Sequence, residues 1–344
     1  MLLKTLRHYL KPYRTQVVAV SALLLIQAIA NLYLPTLNAD LINDGVAKGD
    51  VSYIWRIGGV MLFASALIMV ASIALAYMSS RISMAFGRDL RQAVFAKVES
   101  YSARELGKFG APSLITRNTN DVQQVQMLLF MGLTMMLGAP ITGIGAILMA
   151  IHENLKLSAL LLVAVPVMAL VITLLLRRVV PLFRIMQVKI DRINLVLREQ
   201  ISGIRVIRAF VKTEFEEKRF AEANYDIMQN QLKVTRTFAM MFPILMLILN
   251  LSSVAVLYFG AKLVDSGEIP IGNLTAFLSY IMLILSSVMM AVMMSLMIPR
   301  AEASAERIQE VLTTTSSVID PADPINPTNR RGVLRFNNVE FKYP

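Results

Sequence analysis

The chain has 344 residues, 56% of them hydrophobic, and a mean hydropathy of +0.59; this is more apolar surface than a water-soluble domain of that length ordinarily carries, which points to a membrane protein. The net charge of +11 would suit a nucleic-acid partner, but no aromatic and basic recognition motif accompanies it and membrane topology accounts for it, so no nucleic acid is expected. With no cysteine, disulfides, thiolate metal sites and thiol redox chemistry are excluded.

The chain opens on MLLKTLRHYLKPYR. Leu2, Leu3, Leu6, Tyr9 and Leu10 recur at helical spacing opposite Lys4, Arg7 and Lys11, which predicts a short helix lying in the membrane surface over residues 1–14. A cleaved signal peptide is not expected, because the apolar run that follows outlasts a signal core of about 7–15 residues and ends in no small-residue cleavage site.

Residues 15–39 begin a series of six stretches free of Asp, Glu, Lys, Arg and His; the others are 57–80, 122–151, 157–176, 237–261 and 269–299. A helix of about 20 residues crosses the hydrocarbon of a bilayer, so each is predicted to span it. A soluble bundle would instead need six consecutive helices apolar on every face. Apart from Lys48, Arg56, Lys156 and Lys262, every Lys and Arg falls in 1–14, 81–121, 177–236 or 300–344. That asymmetry predicts a multi-pass protein of the cytoplasmic membrane with both termini cytoplasmic.

The outer connections are short and rich in Gly, Asp and Asn, whereas 81–121 and 177–236 are long and patterned. Met186, Ile190, Ile193, Leu197, Ile201 and Ile204 step by three or four, with no proline between Pro181 and Pro243. Phe220, Ala223, Ile227 and Val234 make a similar face on the return, as do Ile82, Phe86, Leu90 and Ala93 below the second span. About 25 further helical residues carry a rod roughly 35 to 40 Å past the membrane surface.

No span carries the ionisable group that proton- or sodium-driven transport ordinarily places at mid-membrane, nor the arginine row of a voltage sensor. HExxH, GxSxG and paired intramembrane carboxylates are absent too, so the driving energy is expected to enter through the cytoplasmic rods. Gln27, Asn31, Gln123, Gln124, Gln126 and Asn250 are among the neutral polar groups of the spans. Interhelical hydrogen bonds explain most of them, and Gln27 and Asn31, one turn apart, are the pair placed to touch a substrate. Met282, Met289, Met293 and Met297 share a face of the sixth span, with Met290 and Met294 beside it, which suits an apolar cavity or plain packing equally. Pro35, Pro140, Pro166 and Pro243 are candidates for bending helices around a central pathway.

Residues 313–332, TTTSSVIDPADPINPTNRRG, read as a linker rich in Pro, Ser and Thr. In VLRFNNVEFKYP, Val339, Phe341 and Tyr343 alternate with polar residues as a strand does, over 333–344.

Together these stretches resemble the membrane domain of ATP-binding cassette (ABC) exporters of the six-helix, long-intracellular-loop type. FGRDLRQAVFAKV (86–98) and FGAPSLITRNTNDVQQV (109–125) are similar to the first intracellular loop. NLVLREQISGIRVIRAFVKTEFEEKRF (194–220) resembles the second, with Glu199, Gly203, Ile204, Val206, Ile207 and Phe210 in the family pattern, and SGEIPIGNLTAFLSY (266–280) and ASAERIQEVL (303–312) resemble the flanks of the sixth span.

The resemblance implies an all-α membrane domain (15–312) followed by the first strand of an α/β nucleotide-binding domain, working as one half of a dimeric transporter. It implies coupling helices at the rod tips that press on nucleotide-binding domains: Gly110, Ala111, Pro112, Ser113, Leu114 and Ile115 in the first, and Phe210, Val211, Lys212, Thr213, Glu214 and Phe215 in the second, which runs on to Glu217. Phe210 and Phe215 would be apolar pegs, and Glu214, Glu216 and Glu217 would meet a basic rim. Tyr343 matches the aromatic that stacks on adenine.

No GxxxxGK[ST] loop occurs, so these residues cannot cradle phosphate; ATP and Mg2+ would be held by the rest of that domain, expected beyond residue 344 or else on another polypeptide. GAPSLITR departs from the commoner Gly-x-Leu-x-Ser-Arg form, which suggests a heterodimeric partner. The implied function is ATP-driven export of drugs, lipids or similar apolar compounds by alternating access. An importer of the same fold, or a non-transporting channel or regulatory subunit, is the alternative.

Overall fold

Backbone in lipid must satisfy its own hydrogen bonds, and every charge-free run is helical in the computed structural model, which describes residues 1–319, 323, 332 and 335–342. A short helix α1 (Leu2–Tyr9) and a tight turn lead into α2 (Arg14–Asp40). Then follow α3 (Val51–Glu99), α4 (Ala103–Phe109), α5 (Ala111–Thr116), α6 (Val122–Met131), α7 (Gly138–Glu153) and α8 (Leu155–Ser158). Three long rods complete the chain: α9 (Leu161–Ala209), α10 (Thr213–Asp265) and α11 (Ile271–Thr313). Six segments are long and apolar enough to cross a bilayer: Lys11–Val46, Val51–Glu99, Ala111–Glu153, Leu155–Ala209, Thr213–Asp265 and Ile271–Thr313.

The rods far exceed a membrane. With 49 residues in α3 and α9 and 53 in α10, they reach about 75 to 80 Å against ~30 Å of hydrocarbon. Short connections join them at one end of the molecule, the turn end; the tips α4–α5 and 210–212 lie at the other, the stalk end. Thr5 donates from Oγ1 to Gln309 Oε1 at 3.4 Å, so the N-terminal helix and the last turns of α11 also share the stalk end.

Two apolar cores hold the helices. At the stalk end, Phe86, Leu90 and Val94 of α3 pack with Val122 and Val125 of α6, Ala305, Ile308 and Val311 of α11 and Leu2 of α1. At the turn end, Leu32 of α2, Ala146 and Ala150 of α7, Met168 and Ile172 of α9, Leu245 and Val256 of α10 and Phe277 and Tyr280 of α11 form the second. The α9–α10 hairpin thus joins the bundle only through its turn-end half. Nearer the tip, Val179, Met186, Val196, Ala223 and Val234 are buried but belong to neither core; they are the hairpin's own seam. Asn230 Nδ2 donates to the Leu182 carbonyl at 3.0 Å, and Lys189 pairs with Asp226 at 2.9 Å across that seam.

Three departures from the sequence expectations have local causes. The third span is not one α-helix, since a wide π-type turn, Gly132–Met136, separates α6 from α7. Pro140 has no N–H to offer the Met136 carbonyl, which removes one rung where the helix loosens. The stripe from Met186 to Ile204 is not all buried, because Val196 takes the seam position near the tip and Leu197, Ile201 and Ile204 turn outward. Finally, no strand forms among the described residues of 333–344, where 335–342 are irregular. A strand signal needs a neighbouring edge to pair with, and none is described. Tyr343 lies outside the described residues, as does most of the predicted linker.

Candidate functional site

The first tip is built on a chain reversal between α4 and α5. Ser102 caps α4, accepting from Arg104 N at 3.3 Å while Glu105 accepts from Ser102 N at 3.3 Å. Hydrogen bonds from the Ser102 hydroxyl, supported by Ser317, hold the Glu105 carboxyl down at about 2. Gly110 then turns the chain at φ 74°, a conformation that a side chain resists, and Pro112 starts α5 where its missing N–H costs nothing. Within α5, Leu114 is buried while Ala111, Pro112 and Ile115 are exposed and Ser113 is half-buried.

This tip is clasped to the end of α11. Asp121, only 3% exposed, accepts from Arg307 Nε at 2.7 Å and from Ser304 Oγ at 3.0 Å, and Arg307 also reaches its second oxygen. Arg117 donates to Glu310 and to the Arg307 carbonyl, each at 2.7 Å, and its guanidinium lies 4.9 Å from the Phe109 ring centre. Phe109 in turn stacks on Tyr101 at 5.8 Å, and the Tyr101 hydroxyl donates to the Val311 carbonyl. The segment 117–121 that follows α5 is thus joined to α11 by charge-assisted bonds.

At the second tip the structure has no separate short helix over 210–217. Helix α9 stops at Ala209, and α10 begins at Thr213. The reversal is a Schellman motif: Lys212 N donates to Ile207 O at 2.9 Å and Val211 N to Arg208 O at 3.2 Å. The left-handed position of that motif, usually glycine, is occupied by Val211 at φ 50°. No glycine or proline follows before the first seam residue of α10, so the new helix starts at once. Phe210, Val211 and Phe215 are 72%, 85% and 63% exposed, forming an apolar cap, and Lys212, Thr213 and Glu214 are exposed around it. Glu216 turns inward: Arg219 lies 3.5 Å from its carboxylate and 2.6 Å from Glu199. Glu214 and Glu217 remain outward-facing acids.

In the membrane region, Gln27 and Asn31 line one cavity of about 190 Å³ between α2, α7 and α11. Neither side chain has a hydrogen-bond partner among the described residues, whereas Gln126 is held between helices by Arg91 Nη2 at 3.1 Å. The methionine face does not act as a unit. Met282 and Met293 are exposed, Met289 and Met297 are half-buried against the two cores, and Met290 lines the cavity. The open stripe of α11 is Met282, Ser286, Met290 and Met293. Thr134, Thr142, Ser286 and Ser287 line the cavity and escaped the sequence reading, since short hydroxyls in a span carry no periodic signal.

A polar network closes the turn end. Tyr280 Oη lies 2.7 Å from Thr36 Oγ1, Thr36 donates to Glu153 at 3.3 Å, Asn273 donates to Glu153 at 2.9 Å, and Asn43 bridges Asn273 and Gly272 N at 2.8 and 2.7 Å. It ties α2, α7 and α11, opposite the stalk end.

The family model described as the ABC transporter transmembrane region matches residues 17–288. The chain belongs to that family. An uncharacterised ABC transporter ATP-binding protein of Mycobacterium tuberculosis is 45% identical over 100% of this chain and 59% of its own length. An uncharacterised ABC transporter ATP-binding protein of Bacillus subtilis is 33% identical over 98% of this chain and 58% of its own. A multidrug efflux ATP-binding/permease protein of Mycobacterium tuberculosis is 28% identical over 78% of this chain and 22% of its own. This ABC transmembrane region thus spans about three fifths of the length of the first two relatives.

Proposed function

We propose that this chain is the membrane half of an ATP-driven ABC exporter that moves apolar or amphipathic compounds, drugs or lipids, across the cytoplasmic membrane. The observation that carries this reading is the apolar cap of Phe210, Val211 and Phe215, held in water at the end of a hairpin that leaves the bundle. Exposed aromatic and branched side chains on a rigid tip are the anchors that fill pockets in a partner protein. Nucleotide-binding domains, which would hold ATP and Mg2+, are that partner, with Gly110–Ile115 and Phe210–Phe215 as the contact segments. The name of the multidrug efflux relative, which pairs ATP-binding with permease, agrees with this.

Both termini and tips would then lie in the cytoplasm, in keeping with the Lys and Arg distribution. A second six-helix half would cover the outer faces of Leu197, Ile201 and Ile204, which the chain itself leaves bare. The GAPSLITR sequence favours a non-identical second half. Closure of the nucleotide domains would draw the tips together, α5 would carry the movement to α11 through Asp121 and Arg307, and the Gln27–Asn31 cavity would change the side it faces.

Inside-out vesicles holding the full-length protein and its second half test this. ATP-dependent accumulation of a fluorescent amphipathic dye is expected; conductance without ATP, and no accumulation, would favour a channel or regulatory role.

A further inference from the structure

The first 14 residues hold a feature that neither transport nor coupling uses. Helix α1 is fixed to the bundle by one face: Leu2 and Thr5 are buried, Tyr9 meets Phe86 edge-on at 6.3 Å, and Thr5 bonds Gln309. The opposite face and the turn after it gather Lys4, Arg7, His8, Lys11 and Arg14 with Leu3 around an open cleft of about 500 Å³. All six side chains are exposed.

None of these cations has an acidic partner among the described residues. No Asp or Glu precedes Asp40, so none can come from the local sequence. Two acids beside α1 and the turn after it are engaged elsewhere: Glu302 lies 4.0 Å from the terminal amine, and Asp89 takes Arg88 at 2.7 Å and the Tyr13 hydroxyl at 2.6 Å. A charge cluster left unneutralised by its own protein raises the local concentration of anions. Its position selects which anion. Arg14 opens the first membrane span, so the cleft sits at the level of lipid headgroups, and Leu3, 82% exposed within it, is set to enter the acyl layer.

We propose that this cleft is a binding site for anionic phospholipid headgroups in the leaflet at the stalk end. Phosphodiester oxygens would be shared among Lys4, Arg7, Lys11 and Arg14, with an acyl chain along Leu3. Because α1 is bonded to the end of α11, an occupied site would brace the segment that Arg117 also grips.

Native mass spectrometry of the full-length protein in detergent, titrated with dioleoylphosphatidylglycerol or dioleoylphosphatidylcholine, tests the assignment. At least tenfold preference for the anionic lipid is expected, falling about fivefold for each cation removed in K4Q, R7Q, K11Q and R14Q. The charge-conserving set K4R, R7K, K11R and R14K should keep the preference, and should the combined glutamine variant fail to fold, the single variants give the same series. Equal retention of the two lipids by the wild type, or a preference unchanged in the glutamine variants, would overturn the proposal. So would displacement of the lipid by an equal concentration of inorganic phosphate, which would make the cleft a free-anion site.

Discussion

Val211 sits in a left-handed turn that a β-branched side chain resists by roughly 1–2 kcal/mol. Glycine would remove that strain and return about 0.5–1 kcal/mol through its looser unfolded chain. V211G is therefore expected to stabilise the protein slightly in a thermal melt while weakening ATP-driven transport, because the most exposed apolar anchor of the tip is lost. A loss of stability with transport intact would mean that the residue only shapes the turn.

Asp121 makes a second residue-scale case. Its carboxylate is buried and Arg307 is about half exposed, so removing the arginine strands a desolvated charge while part of the pair's attraction is already screened. R307Q is expected to cost about 1–3 kcal/mol, and a double-mutant cycle with D121N should show coupling of about 1 kcal/mol or more. Additive effects would remove the clasp from the coupling route.

Glu105 supplies a pH dependence. Its folded value of about 2 lies below the ordinary 4.5, so its contribution to stability is complete above 4.5 and is lost as pH falls from there through about 2. The melting-temperature gap between wild type and E105Q should be constant above pH 5 and shrink in that acidic window. A gap independent of pH would show that the capping box does not hold the charge.

At the scale of elements, the sequence made the helices legible because lipid leaves the backbone one solution, and the apolar runs are as long as that solution requires. It made the faces legible only in part. The seam residues Ala223 and Val234 are where periodicity put them, and so are Phe86 and Leu90 in the stalk core. Ile201 and Ile204 continue the α9 stripe but are exposed, since a periodic stripe records which residues share a side and not where the partner helix stops covering it. The methionines of α11 divide for the same reason, between two cores and an open face. The turn-end network joins Asn43 to Asn273 and Thr36 to Tyr280, contacts between helices far apart in sequence that no local pattern announces. Bare Ile201 and Ile204 lead to a prediction for the hairpin. I201Q with I204Q should leave the unfolding free energy of the single half within about 0.5 kcal/mol of wild type, yet reduce cross-linking to a second half. Unchanged cross-linking would mean that this face is simply solvated.

For the whole molecule, the division into two cores decides how force can travel. The α9–α10 hairpin is anchored in the core at the turn end alone, the geometry of a lever, whereas residues 117–121 after α5 are bonded to α11, the geometry of a strut. The six predicted spans carry no charged residue, and under the proposed function the drive would come from the side of the membrane to which the tips point. Residues 1–344 hold no cysteine, so once any cysteine outside them is replaced by serine that side is directly measurable. A single cysteine at F215C in the full-length protein, treated with an impermeant maleimide in sealed vesicles of each orientation, should react only in inside-out vesicles and more slowly once ATP is added. Reaction from the outer face in right-side-out vesicles would contradict a lever driven from the cytoplasm.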